Sequence, residues 1–202
     1  MAQRDAEATK ARILEAAVEE FAKHGHAGGR IERISASSGT NVRMIYAYFG
    51  GKSGLFDEAL AASLGAMAAA VPPRAEDLPE WAGDLFDYHQ RDPAALRLTL
   101  WAQLERPEAA SEPLQSYMDK ASMLSRTAAG PLTAVDLLVV IYAVAQAWQL
   151  APLGLLKANH ADPGSAGAMA SYRQAVIYTV RRITTPESAT PGISPQEEVQ
   201  AS

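Results

Sequence analysis

Apolar side chains recur every three or four residues along most of this chain, and no stretch sustains the period-two alternation of a half-buried strand. That pattern restricts it to an all-α fold. From Ala8 to Lys23 the stripe Ile13, Leu14, Ala17, Val18 and Phe21 opposes Glu15, Glu19, Glu20 and Lys23, and Gly25 supplies a stop. The spacing predicts a short second helix over Arg30 to Ser37 and a tight turn at Ser37-Ser38-Gly39-Thr40. A third helix, capped by Asn41, turns Ile45 and Phe49 inward and ends at Gly50-Gly51. Lys52 opens a longer helix with Leu55, Phe56, Ala59, Leu60, Leu64 and Met67 at helical intervals, until Pro72-Pro73 breaks it. Further helices are predicted over 78–90, 93–106, 111–128, 133–150 and 169–184, with Thr133 and Asp136 placed to cap the one at 133–150. Asn159 to Gly167 reads as a loop, and residues 186–202, rich in proline and poor in large apolar side chains, as a disordered tail.

Composition narrows the classes of function. With 202 residues, 48% of them apolar, the chain can bury a sizeable core, and without cysteine it has neither a disulfide scaffold nor a thiol ligand or nucleophile. The longest apolar run, Leu137 to Ala147, is interrupted by Gln146 and is far shorter than the roughly 20 residues that span a bilayer, so it reads as a buried helix. Met1 to Lys10 is polar and leads into an amphipathic segment, not a signal core, so a cytoplasmic setting without a membrane partner is expected. No phosphate-binding glycine loop, nucleophile elbow or zinc-protease pattern occurs, so no enzyme and no cofactor is expected. The histidines show no metal-ligand spacing, and the close pair His24 and His26 reads as a solvated turn.

A net charge of −5 argues against nonspecific coating of nucleic acid, but its distribution is uneven. Residues 1–60 carry eight basic and eight acidic side chains, so the deficit lies in the remainder, and Arg30, Arg33, Arg43 and Lys52 face Glu32 alone between positions 30 and 52. Two short helices across a glycine turn, braced by a longer helix, form a helix-turn-helix pattern whose second helix normally enters the major groove. With Ile45 and Phe49 inward, Val42, Arg43, Tyr46 and Ala47 fall outward, and Tyr48 and Lys52 sit near the helix end. Tyrosine hydroxyls and lysine suit phosphates; Arg43 suits guanine O6 and N7; Val42 and Ala47 suit a thymine methyl. Arg30 is a further candidate phosphate contact, whereas Arg33 reads as a solvated helix charge.

The segment from Ile34 to Phe56, ISASSGTNVRMIYAYFGGKSGLF, within a match from about Thr9 to Leu60, resembles the tetracycline-repressor (TetR) family of transcriptional regulators. The family signature places an isoleucine before an Ala-Gly-Val turn, then a small polar cap, Leu-Tyr-x-Tyr-Phe, and a lysine followed by Leu-Phe. Ile34, Gly39, Asn41, Ile45, Tyr46, Tyr48, Phe49, Lys52, Leu55 and Phe56 stand in register with it. Gly29-Arg30 replaces the hydroxyl pair that usually opens the second helix, so Arg30 substitutes for lost hydroxyl contacts; Arg43 and Met44 stand where small or hydroxylated residues are common.

The resemblance implies a DNA-binding domain over 1–51 and a helical effector-binding and dimerisation domain over 52–185. It further implies a homodimer acting on a double-stranded DNA operator, most simply as a repressor released by a small-molecule effector. The candidates for its four-helix dimer interface are Thr133–Leu150 and Met169–Thr184. Ligand cavities are mostly apolar with few polar groups, which makes Trp81, Phe86, His89, Trp101, Leu104, Tyr117, Met118, Tyr142, Gln146 and Trp148 candidate lining residues, His89 and Gln146 supplying polarity. The alternative is an all-α small-molecule-binding protein or enzyme whose N-terminal helices only pack.

Overall fold

A computed structural model of the protein describes residues 2–107, 114–125, 132–159 and 161–185, and among these every regular element is a helix. In order they are α1 (Ala2–Gly28), α2 (Ile31–Ser38), α3 (Val42–Phe49), α4 (Lys52–Ala70), α5 (Leu78–Arg91), α6 (Ala94–Glu105), α7 (Leu114–Leu124), α8 (Ala134–Leu150), α9 (Leu153–Asn159) and α10 (Ala166–Thr184). The expected tail at 186–202, and the outer parts of the helix predicted over 111–128, lie outside the described residues.

Local chemistry sets most boundaries. The Asn41 side chain accepts the Met44 N–H at 3.0 Å and so starts α3. Thr133 and Asp136 close a reciprocal capping box, with Thr133 Oγ1 accepting the Asp136 N–H and the Asp136 carboxylate accepting that of Thr133. α10 begins earlier than its periodicity predicts, because the Ser165 hydroxyl accepts the Ala168 N–H and draws Ala166 and Gly167 into the helix. α9 was not legible. Pro152 and Gly154 look like punctuation, and Leu153 and Leu155 are both exposed, so no single apolar side marks the helix. Proline is nonetheless compatible with a helix start, and the Pro152 carbonyl accepts the Leu155 and Leu156 N–H groups. α9 leaves α8 at 91°; among the described residues no single helix is long and apolar enough to cross a membrane.

Two hydrophobic clusters form the interior. The first joins Ile13, Ala17 and Phe21 of α1 to Ile31 and Ile34 of α2, Ile45 and Phe49 of α3, Leu55, Phe56, Ala59 and Leu60 of α4, and Leu98 and Ala102 of α6. The second gathers Met67 and Val71 with Leu78, Trp81, Leu85 and Tyr88 of α5, Leu137, Leu138, Ile141 and Ala145 of α8, and Val176 and Val180 of α10. The N-terminal core therefore runs past the Gly51–Lys52 junction, where the sequence suggests a domain boundary, to include half of α4 and a face of α6.

Candidate nucleic-acid interface

α3 is anchored by its buried pair. Ile45 is fully buried and Phe49 nearly so, each contributing about 1.5–3 kcal/mol of burial. Four-residue spacing puts both on one face and leaves Arg43, Tyr46 and Ala47, at i, i+3 and i+4, exposed together on another. Tyr46 is 55% exposed, and its ring lies across the α3–α4 corner, where a Cβ at Gly51 would sit 3.5 Å from Cε1. Gly50, at φ 71°, ends the helix in the left-handed conformation.

The α2–α3 turn is tied internally. Gly39 takes φ 63°, Ser35 Oγ donates to the Thr40 carbonyl at 2.6 Å, and Ser38 Oγ donates to the Ile34 carbonyl at 2.7 Å. These bonds fix the angle at which α3 leaves α2.

The other candidate contacts sit differently. Val42 is half-buried against the N-terminal core, Asn41 is occupied as a cap, and Tyr48 is half-buried with its ring edge-on to Phe49 at 6.3 Å. Lys52 Nζ donates to the Ala27 carbonyl at 3.1 Å, so its ammonium also closes the end of α1. Arg30 is exposed and precedes α2, its backbone N–H donating to Glu20 Oε1 at 2.8 Å. Arg33 is not a solvated charge. Its guanidinium forks onto the Glu20 carboxylate, with Nε at 2.8 and 3.0 Å from the two oxygens, and reaches the Gly28 carbonyl. Burial acts to raise the Glu20 pKa, but the bonds from Arg33 and the Arg30 N–H outweigh it and hold the carboxyl below its ordinary range.

His26 also departs from the sequence reading. Instead of lying in a solvated turn, it packs between Phe21 (6.4 Å) and Phe56 (5.5 Å), with Nε2 3.2 Å from Ser53 Oγ. Burial, reinforced by the charges of Arg106 and Lys52, lowers its pKa.

The C-terminal end of α6 reaches this domain. Gly25, at φ 69°, lies so close to Trp101 that a Cβ would stand 2.8 Å from the indole; Glu105 accepts the Ala27 N–H at 2.9 Å, and Arg106 pairs with Asp57 at 3.3 Å. Sequence reasoning missed Glu105 and Arg106, since their partners are 78 and 49 residues away.

Family models match both halves of the chain: "Bacterial regulatory proteins, tetR family" over residues 13–59 and "Tetracyclin repressor-like, C-terminal domain" over 77–182. The chain belongs to the TetR family. It is similar to the HTH-type transcriptional repressor SCO4008 of Streptomyces coelicolor, 50% identical over 105 residues, which cover 52% of this chain and 55% of that protein. A shorter match, 55% identical over 51 residues, relates 25% of the chain to 24% of the repressor NicS of Pseudomonas putida. The chain thus spans about half, and about a quarter, of the lengths of these curated relatives. A solved structure, that of the transcriptional regulator SCO4942 from Streptomyces coelicolor, superposes with a TM-score of 0.75 at 31% identity, covering 87% of this chain and 97% of that one. A TetR regulator from Marinobacter aquaeolei, 16% identical with a TM-score of 0.60, shares the fold.

In the C-terminal half of this TetR chain, several candidate ligand-lining residues converge. Trp81 and Tyr142 meet edge to face at 6.0 Å; Phe86 and Trp148 flank Tyr172 at 5.4 and 4.7 Å; and Gln146 Nε2 lies 3.5 Å from His89 Nε2. Trp101 is instead packed in the N-terminal core, Leu104 is 76% exposed, and Tyr117 and Met118 are exposed on α7. Beside this cluster, the buried His89 Nδ1, Gln149 Nε2 and Gln149 Oε1 are among the described polar atoms without a hydrogen-bond partner. Gln149 was missed, although its position three residues after Gln146 in an otherwise apolar helix is a readable signal that both share a face.

Burial also pushes the His89 imidazole below its ordinary value, against a weaker opposing pull from Asp92. An unfolded chain protonates histidine near pH 6.5 while folded His26 and His89 resist it, so their contribution favours folding fully above that value and is lost as pH falls toward their folded pKa values. Urea unfolding between pH 7.5 and 5.5 should show stability declining with acid, and a His26→Gln, His89→Gln double variant should show a flatter dependence. An unchanged slope would refute the assignment.

Proposed function

We propose that this protein is a homodimeric, cytoplasmic DNA-binding repressor of the TetR family whose affinity for its operator is set by a small molecule. The observation that carries the reading is the exposed Arg43, Tyr46 and Ala47 face of α3, held outward by the buried Ile45 and Phe49. Arg43 is assigned to a base edge, Tyr46 and Tyr48 to phosphates, and Lys52 and Arg30 to the backbone flanking the groove. Two copies of α3 reading one duplex require half-sites about 34–36 Å apart or a multiple of that spacing.

Dimerisation is supported by the outer faces of α8 and α10. Val135, Val139 and Leu150 of α8 and Tyr178 of α10 are exposed, while Leu137, Leu138 and Ile141 on the other side of α8 are buried within the subunit. The effector is assigned to the aromatic cluster of α5, α8 and α10, with His89, Gln146 and Gln149 as its polar contacts. Control requires an effector to bind one arrangement of the dimer more tightly than the other, typically by about 1–3 kcal/mol. The route to α3 is the seam where α6 meets α1 and α4 through Trp101, Glu105 and Arg106.

Gel-shift titration with the chain's own upstream DNA tests the reading. Arg43→Ala should lose about 1–3 kcal/mol and relax preference at one base position. Lys52→Ala should weaken binding to every sequence alike and make the salt dependence shallower by about one contact. Uniform loss in both variants would remove Arg43 as a reader, and an absence of duplex binding at low salt would end the proposal.

A further inference from the structure

The imidazole of His26 ends on a hydroxyl at the protein surface. Past the kink at Gly25 (φ 69°, ψ −177°) the last residues of α1 turn toward α4, and the His26 ring is held by Phe21, stacked at 6.4 Å, and Phe56, edge-on at 5.5 Å. Both phenylalanines are fully buried, so the core sets the orientation of the imidazole. Its Nε2 stands 3.2 Å from Ser53 Oγ, and among the described residues this ring is the hydroxyl's hydrogen-bond partner. Ser53 itself is exposed, in the first turn of α4 beside Lys52, whose ammonium reaches the carbonyl of Ala27, the residue after His26. The Tyr46 ring lies against Gly51, one residue before that turn. A phenol, an ammonium and an exposed hydroxyl are thus gathered around residues 51–53.

The chemistry of the His26–Ser53 pair is directional. A phosphate oxygen only accepts, so a serine serves one only by donating its single hydrogen outward. Its oxygen then faces the ring with lone pairs, which an Nε2–H fills. With Nε2 as the acceptor instead, the serine hydrogen would be used up inside the protein. Burial holds this imidazole neutral near pH 7, so it carries one N–H, and the outward arrangement places that hydrogen on Nε2.

We propose that Ser53 is a DNA phosphate contact and that His26 is its positioning residue, donating from Nε2 to Ser53 Oγ so that the hydroxyl hydrogen points at the duplex. This rests on the DNA-binding function above, and it sets a neutral contact beside the charged one assigned to Lys52. A bond that only tied α1 to α4 would add to stability and leave DNA affinity untouched.

Gel shifts on a duplex from the chain's own upstream region, and on a shuffled duplex of the same length at low salt, test it. Ser53→Ala, at an exposed position, should weaken binding to both duplexes about five- to tenfold. Its salt dependence should keep the wild-type slope, because a hydroxyl releases no counterion, whereas Lys52→Ala makes the slope shallower. Ser53→Thr, which retains the hydroxyl, should bind within about twofold of the wild type. His26→Phe keeps a ring between Phe21 and Phe56 but removes the donor, so its urea midpoint should hold or rise while its affinity falls as in Ser53→Ala. The double variant should bind no more weakly than Ser53→Ala alone, since both changes remove the same contact. Full affinity in Ser53→Ala or His26→Phe, a shallower salt slope in Ser53→Ala, or losses that add in the double variant would each overturn the proposal. Wild-type protein that binds neither duplex overturns the DNA-binding reading and this contact together; wild-type binding with unaffected variants overturns the contact alone.

Discussion

Gly54→Ala should destabilise the protein by about 3 kcal/mol and abolish operator binding, because the new Cβ would stand 2.1 Å from the Phe49 carbonyl oxygen. The obstacle is backbone, so no side-chain rotation relieves it. Phe49 is the last residue of α3, and Gly54 lies in the first turn of α4; the two helices meet so closely at this corner that only a residue without a side chain fits. Relief requires α3 to move away from α4, which withdraws Ile45 and Phe49 from the core and re-aims Arg43 and Tyr46. Gly65→Ala supplies the control on the same helix. A Cβ there meets nothing within 4 Å, so the substitution should stabilise by about 0.5–1 kcal/mol through helix propensity. Urea melts and gel shifts on the pair should diverge in sign; if both variants behave alike, the close approach at Phe49 is not what fixes α3.

Trp81→Ala should cost about 3–5 kcal/mol, the largest loss expected of any truncation in the C-terminal core. The indole is 1% exposed, packs edge to face on Tyr142, and donates from Nε1 to the Val71 carbonyl at 3.3 Å. Removing it leaves a cavity between α5 and α8 and an acceptor without its donor. The N-terminal core has its own buried residues, and Leu64 is a half-buried side chain touching both clusters. Hydrogen exchange should therefore show protection falling first in α5, α8 and α10, with α1 to α3 retaining more of theirs. An even loss across both halves would mean that the two clusters unfold as one unit and that the N- and C-terminal halves are less separable than their packing suggests.

Much of the N-terminal half was legible because its determinants are short-range. Asn41 caps α3 three residues away, Gly39 and Gly50 take left-handed conformations where the turns require them, and Ile45 and Phe49 share a face through helical spacing alone. The exposed positions of Arg43, Tyr46 and Ala47 follow from that spacing. The roles of charged groups followed less well, since a charge pairs with whatever the fold brings near it. Arg33 reads as solvated but forks onto Glu20, and Lys52, whose ammonium reads as free for phosphate, also caps α1. In the C-terminal half, apolar periodicity identified the helices but not what each aromatic side chain faces. Trp101 has the composition of a pocket residue and sits instead beneath Gly25.

The amino-acid sequence determined by itself the helical class, most helix boundaries and the outward face of α3, because caps, turns and amphipathic stripes depend on groups within four residues of one another. Only the tertiary structure decided that α6 locks onto α1, that His26 is packed between two phenylalanines, and that its imidazole meets Ser53 where α1 ends against α4. Those features arise from residues dozens of positions apart, whose meeting is fixed by how the helices pack.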